Sequence, residues 1–238
     1  MHIFLRLRVA TAAVWLCCFS GQARALAKLH IISFGKWTNV KYITGQGNDK
    51  SVNLKVRPLY IDNRIKEFVF GAPHDVTDRL FVVRRAFRLN DALPEESNGA
   101  RWEWQLGGWL LVDRVSGHVS QLLLSDFDSD NSIASWYRDY VAYCGISSDG
   151  QKLYAVVQQL GRRKPVLRKT IQERGTDNLA KSECSTTWRR QPASVTFTTD
   201  KGQNQEADHK FTFAVRGGMV DVVTRDPTND EEEGSESE

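Results

Sequence analysis

Asp126, Asp128 and Asp130 alternate along one short stretch and so offer oxygens to a hard cation such as calcium. A twelve-residue calcium loop also needs glycine at its sixth position and a bidentate glutamate at its twelfth. Those positions hold Asn131 and Tyr137. The stretch reads as a solvated acidic loop, with weak calcium binding in another geometry as the alternative. A second chemistry would pair two carboxyl groups about 5–9.5 Å apart across a glycosidic bond. Asp126, Asp128, Asp139 and Glu103 are the residues from which such a pair would be drawn.

Other catalytic signatures are missing. His30, His74, His118 and His209 stand at no zinc-ligand spacing from one another or from a cysteine. Gly145-Ile146-Ser147-Ser148-Asp149 ends in the wrong residue for a nucleophile elbow. No glycine loop has the phosphate-cradling pattern. Cys144, followed by Gly145, has no local base to activate it.

Binding chemistry has more candidates. Trp102, Trp104, Trp109, Trp136 and Tyr137 carry ring faces on which sugars stack. Trp102 and Trp104 fall on the apolar side of an alternating strand and are expected in the core. Trp109, across a Gly-Gly bend, and Trp136, beside the acidic loop, are expected to be the exposed pair. Gly161-Arg162-Arg163-Lys164 is a basic turn, with Arg168 and Lys169 following. It suits an anionic surface or polymer, or it serves only to keep a hairpin tip soluble and unpaired.

The N-terminus supplies an address. Arg6 and Arg8 precede an apolar run from Val9 to Phe19, broken only by Thr11, and Ala23-Arg24-Ala25 has the A-x-A form. This is the pattern of a secretory signal peptide over residues 1–25, cleaved after Ala25, leading to a secreted or periplasmic protein. The run is shorter than the roughly 20 residues a membrane helix needs, and no transmembrane segment is expected. Cys17 and Cys18 fall inside the leader. Cys144 and Cys184 remain, and an oxidising compartment permits them to pair as a disulfide; the alternative is two separate thiols.

Charge divides the rest. The whole chain carries a formal +3. Removing Arg6, Arg8 and Arg24 leaves zero, and the segment 226–238 holds seven acids and no base. Residues 26–225 therefore carry about +7 beside a −7 tail. The tail has no apolar residues and is expected to be disordered. The basic body is not read as a nucleic-acid binder, since its charges are spread along many strands and the protein is exported.

Residues 26–225 are long enough for one domain with a real core. They read as strands and turns. Lys55 to Ile61 and Arg64 to Phe70 flank Asp62-Asn63, a hairpin turn, and Pro58 favours an edge position for the first of them. Arg79 to Leu89 and Arg101 to Asp113 are strands around a loop at 90–100. Gly107-Gly108 suggests a bulge or a bend. Further strands run over 118–124, 140–146, 152–160, 165–171, 194–199, 211–215 and 219–224, with a polar stretch at 172–185 that could hold a short helix. The fold class is all-β, with antiparallel sheets packed as a sandwich or a partial propeller.

Two segments carry a resemblance. Trp109-Leu110-Leu111-Val112-Asp113-Arg114-Val115-Ser116-Gly117 resembles the strand and turn that join outer strands of a β-propeller blade. Ser147-Ser148-Asp149-Gly150-Gln151-Lys152-Leu153-Tyr154 resembles the S-x-D-G turn of TolB-like propellers. The resemblance implies blade-like hairpins. Propeller blades of the WD type run about 40–45 residues, so this length fits two or three irregular ones. The wider chain is similar to exported bacterial proteins, which implies export and no activity. Together these observations predict an exported, non-catalytic all-β protein that binds a partner protein or an envelope polymer. A secreted glycan hydrolase with paired carboxylates is the alternative.

Overall fold

A computed structural model describes residues 29–43, 51–96, 99–173, 184–199, 209–216 and 219–222. The expected leader and acidic tail lie outside the described residues. Among those described, every regular element is a strand, so the chain is all-β. Three sheets form.

The first holds β1 (Ile32–Phe34), β2 (Thr38–Ile43), β3 (Ser51–Ile61), β4 (Arg64–Asp75), β5 (Leu80–Asn90), β6 (Trp102–Asp113) and β7 (Val119–Leu122). Its centre is a meander. β3 turns into β4 through Asp62 and Asn63, whose φ angles of 50° and 62° suit the two-residue turn that matches strand twist. β2 pairs β3 antiparallel, and it also pairs β6 in parallel at Tyr42 and Trp104. Strands β2 to β6 thereby close into a ring.

Pro58 does not mark an edge strand. β4 pairs along one side of β3, and β1 and β2 share the other. β2 covers β3 as far as Val56, and β1 begins at Leu59. Pro58 sits in the gap, where its carbonyl accepts from the Gly35 amide. Its missing N–H faces this break, so no ladder bond is lost.

Gly107-Gly108 is the expected bulge. Arg84 pairs Trp109 and Ala86 pairs Leu106, so the two glycines stand opposite Arg85 alone. A Cβ on Gly107 would lie 3.0 Å from the Arg85 Cβ and backbone oxygen. The extra residue restores phase: Trp109 projects from the same face as Trp104 and Leu106 despite its odd position.

The long strands bury different faces at their two ends. Toward β1 and β7, Leu59, Val69, Phe81, Val83, Leu110 and Val112 form a core with Phe34. Toward the ring closure, Tyr42, Val56 and Ala86 are buried on the opposite face.

The second sheet is a four-stranded meander: β8 (Ser135–Tyr137), β9 (Tyr140–Ile146), β10 (Lys152–Gln159) and β11 (Leu167–Glu173). The third is another: β12 (Cys184–Arg190), β13 (Ala193–Thr199), β14 (His209–Arg216) and β15 (Met219–Val222). Alternation decides how they stack. Ala142 and Cys144 of β9, with Leu153 and Ala155 of β10, face Val195, Phe197 and Phe213 of the third sheet. Val141, Tyr143 and Val156 face the other way, onto Leu124, Phe127 and Trp136. The second sheet is covered on both sides, which is why β9 and β10 are continuous apolar runs. Each buried Val, Leu or Phe among them contributes roughly 1.5–3 kcal/mol, and the alanines much less. The Cys144–Cys184 disulfide ties β9 to β12 across this interface.

The short helix allowed for 172–185 lies largely outside the described residues. Its described ends belong to β11 and β12. No helix among the described residues is long and apolar enough to cross a membrane.

Candidate functional site: an aromatic groove joined to a basic cleft

Of the two tryptophans expected at the surface, Trp109 is buried and Trp136 is half-buried. Trp109 is only 6% exposed. Its ring meets Trp136 edge to face at 5.3 Å, and Trp136 stacks on His74 at 5.8 Å. The bulge turns Trp109 toward β8, so the pair joins the first sheet to the second and does not form a sugar platform. Tyr137 stacks on Trp188 at 5.4 Å. Cys144 is held in the disulfide and is no nucleophile.

The three aspartates of the acidic loop diverge. Asp126 accepts from Arg168 at 2.8 Å. Asp128 caps its own loop, taking the amides of Asp130 and Asn131 at 2.8 and 3.2 Å. Asp130 accepts from the Tyr42 hydroxyl at 3.1 Å. Among the described residues no three His, Cys, Asp or Glu side chains gather as a metal set. Asp139 accepts from Gln159 at 2.8 Å, and Glu103 lies 3.5 Å from Arg101.

Arg84 secures this loop to the first sheet. Its guanidinium donates to the carbonyls of Ser129 at 2.8 Å and Gly107 at 3.2 Å, beneath the Phe70 and Phe127 rings. Burial pushes the guanidinium down to about 10, against the pull of Asp130, Tyr42 and Asp128. It stays charged at neutral pH. Burial and the nearby Asp130 push the Tyr42 phenol up to about 12. This network is packing, with its charges turned inward.

Arg162, Arg163 and Lys164 form the exposed β10–β11 tip. Its turn is set by Gly161 at φ 82°. The tip lines neither of the two cavities described next.

The concave surface lies elsewhere, on β4, β5 and β6. Trp102 was expected in the core and is 59% exposed. The reason is position along the ring. Trp104 is the β6 residue paired to β2, and Trp102 lies two residues beyond it, opposite Asn90 at the end of β5. Alternation places both rings on one face, but only Trp104 is covered. Trp104 meets Phe68 edge to face at 5.2 Å. Arg88 lays its guanidinium 6.0 Å from the Trp102 ring and 5.4 Å from the Trp104 ring. Trp102, Arg88, Phe87, Lys66, Ile65 and Glu67 line a groove of about 240 Å³, and the Glu67 carboxylate is paired with Arg85 at 2.9 Å. The adjoining loop is held by Asn90, which accepts from the amides of Ala92 and Arg101, and by an Arg101–Asp91 ion pair.

Lys66 also lines a second cleft, of about 510 Å³, with His30, Asp62, Arg64, Ser116 and His118. His30 Nδ1 lies 2.9 Å from Asp62 Oδ2, and the Ile31 amide donates to Asp62 Oδ1 at 3.1 Å. Asp113 shapes the opposite wall. Its carboxylate accepts from Arg79 and from the amides of Val115 and Ser116. Arg79 first, then those two residues, hold it well below the ordinary carboxylate range.

Two cavities thus meet at one lysine, one aromatic and cationic, the other rich in histidine and base. Sequence spacing missed both. Trp102 is the first residue of its strand after a polar loop, which is the one local signal for its exposure. His30 and Asp62 are 32 residues apart and meet only through β1–β3 pairing. Comparison with protein-family models, curated proteins and solved structures finds no match to this chain.

Proposed function

We propose that this protein is an exported, non-catalytic all-β binding module whose ligand is an acidic glycan of the cell envelope, held in the Trp102 groove. The observation that carries this reading is the exposed Trp102 ring with Arg88 beside it and Lys66 across the groove. A pyranose presents an apolar C–H face that packs on an indole. A guanidinium and an ammonium beside that indole pair with the acid groups of a uronate or sulfated sugar. Ligand sites combine a mostly apolar wall with a few placed polar groups in this way.

Export rests on the leader pattern at 1–25, and the disulfide suits an oxidising compartment. The two four-stranded meanders, β8–β11 and β12–β15, support reading them as blade-like repeats stacked behind the binding sheet.

The test is affinity electrophoresis of the protein through gels containing polygalacturonate, heparin or dextran. Retardation by the two acidic polymers, little by dextran, and at least tenfold weakening in Trp102→Ala are expected. Equal migration in all three gels, or a Trp102→Ala protein that is retarded as strongly as the parent, would overturn the reading. Trp102 is exposed, so its removal leaves the core intact.

A further inference from the structure

We propose that the cleft between His30 and His118 is an oxyanion subsite, binding a sulfate or carboxylate group through Arg64, Lys66 and the two imidazoles. Its service to the same polymer rests on the groove reading; its affinity for an oxyanion does not.

The cleft is built by three segments that fold independently of one another in sequence. The β3–β4 turn brings Asp62 and Arg64, the residues before β1 bring His30, and the β6–β7 turn brings Ser116 and His118. Gly117 makes their approach close. Its φ is +64°, and a Cβ there would meet His30 Cγ at 2.8 Å and Ile61 Cγ2 at 3.0 Å. Only a glycine lets the turn lie flat against the imidazole.

The electrostatics favour an anion. Asp62 is the one carboxylate lining the cleft, and His30 and the Ile31 amide occupy its two oxygens. The Asp62 contact at Nδ1 leaves Nε2 as the His30 nitrogen open to a ligand. Arg64 and Lys66 have no carboxylate in ion-pair distance among the described residues. The Ser116 hydroxyl accepts from the His118 amide at 3.3 Å and donates its own proton to Asp113, so it holds the wall and is not counted among the ligand's partners. The groups facing the two imidazoles are therefore Asp62, Arg64, Lys66 and Ser116. Lys66 lines both, so the cleft and the Trp102 groove lie side by side. One sugar on the indole would thus place the acid group of its neighbour toward the cleft.

Histidine Cε1–H signals of the whole protein, followed by NMR during titration with sodium sulfate or sodium acetate against sodium chloride at equal ionic strength, test this. Saturable shifts of His30 and His118 are expected, with His74 still, because it is stacked on Trp136 in another part of the fold. Lys66→Gln and His118→Gln should each weaken sulfate binding severalfold, and Trp102→Ala should not change it. Shifts that follow chloride equally, or that move His74 alike, would overturn the subsite, and unchanged affinity in His118→Gln would overturn the part given to the histidines. Sulfate shifts in a protein that no acidic polymer retards would overturn the groove reading and leave the oxyanion subsite standing. Retardation by polymer with no sulfate shift would do the reverse.

Discussion

Trp109 of β6 and Trp136 of β8 meet edge to face with ring centroids 5.3 Å apart, and neither indole N–H has a hydrogen-bond partner. The contact joins the first sheet to the second through apolar area and ring geometry alone. Trp136→Ala should lower stability by about 3 kcal/mol. Trp109→Phe should cost less than about 1 kcal/mol, since it also removes a buried donor that nothing satisfies. Urea unfolding followed by far-UV circular dichroism measures both. A Trp136→Ala loss below that of Trp109→Phe would show that the pair does not hold the sheets.

The Cys144–Cys184 bond spans a sequence separation of 40 and closes β9 onto β12. Chain entropy assigns a crosslink of this length about 4 kcal/mol. The double variant Cys144→Ala, Cys184→Ala should lose most of that in a denaturant midpoint, with the first sheet less affected than the second and third. Amide exchange resolved by segment reads the difference. Uniform loss of protection across all three sheets would argue against a local tie.

Gly107 faces the Arg85 backbone across the bulge, with room for hydrogen and not for a methyl group. Gly107→Ala should cost about 1–3 kcal/mol as the strands move apart. It should also disturb the tryptophan near-UV circular dichroism, because the bulge aims Trp109 at Trp136. Unchanged spectra with unchanged stability would mean that β6 tolerates the extra atom without repositioning.

Asp113 is held below its ordinary value of 3.8 by Arg79 and by the Val115 and Ser116 amides. A carboxylate with a depressed folded-state pKa stabilises the fold above its unfolded value, and that contribution is lost as pH falls through the folded one. Stability should therefore drop between about pH 4 and pH 2. Asp113→Asn should start lower at pH 7 and fall less over that interval. Thermal unfolding at a series of pH values measures it, and parallel curves for the two proteins would count against the role. The same variant should broaden the His118 signal, since Asp113 holds the turn that carries it.

Much of the strand architecture was legible because its signals are local. The Asp62-Asn63 turn, the Gly-Gly bulge and the apolar runs of β9 and β10 each depend on neighbours within a few residues. β1, β2, β8 and β12 were not read. β1 and β8 are three residues long, and β12 buries only alternate residues of a polar run. Such strands are specified by their partners more than by their own composition.

Surface exposure was read in reverse for Trp102 and Trp109, and the cause is physical. Alternation shows which side chains share a face of a strand. It does not show where along that strand a neighbour stops covering the face. The sequence by itself determined an all-β chain, the two cysteines available to each other, and the alternation of β6 ahead of its Gly-Gly bulge. Only the tertiary structure decided that β2 pairs β6 at Trp104 and not at Trp102, and that His30 meets Asp62. Those outcomes depend on where distant strands end against one another, and that contact forms only once the ring has closed.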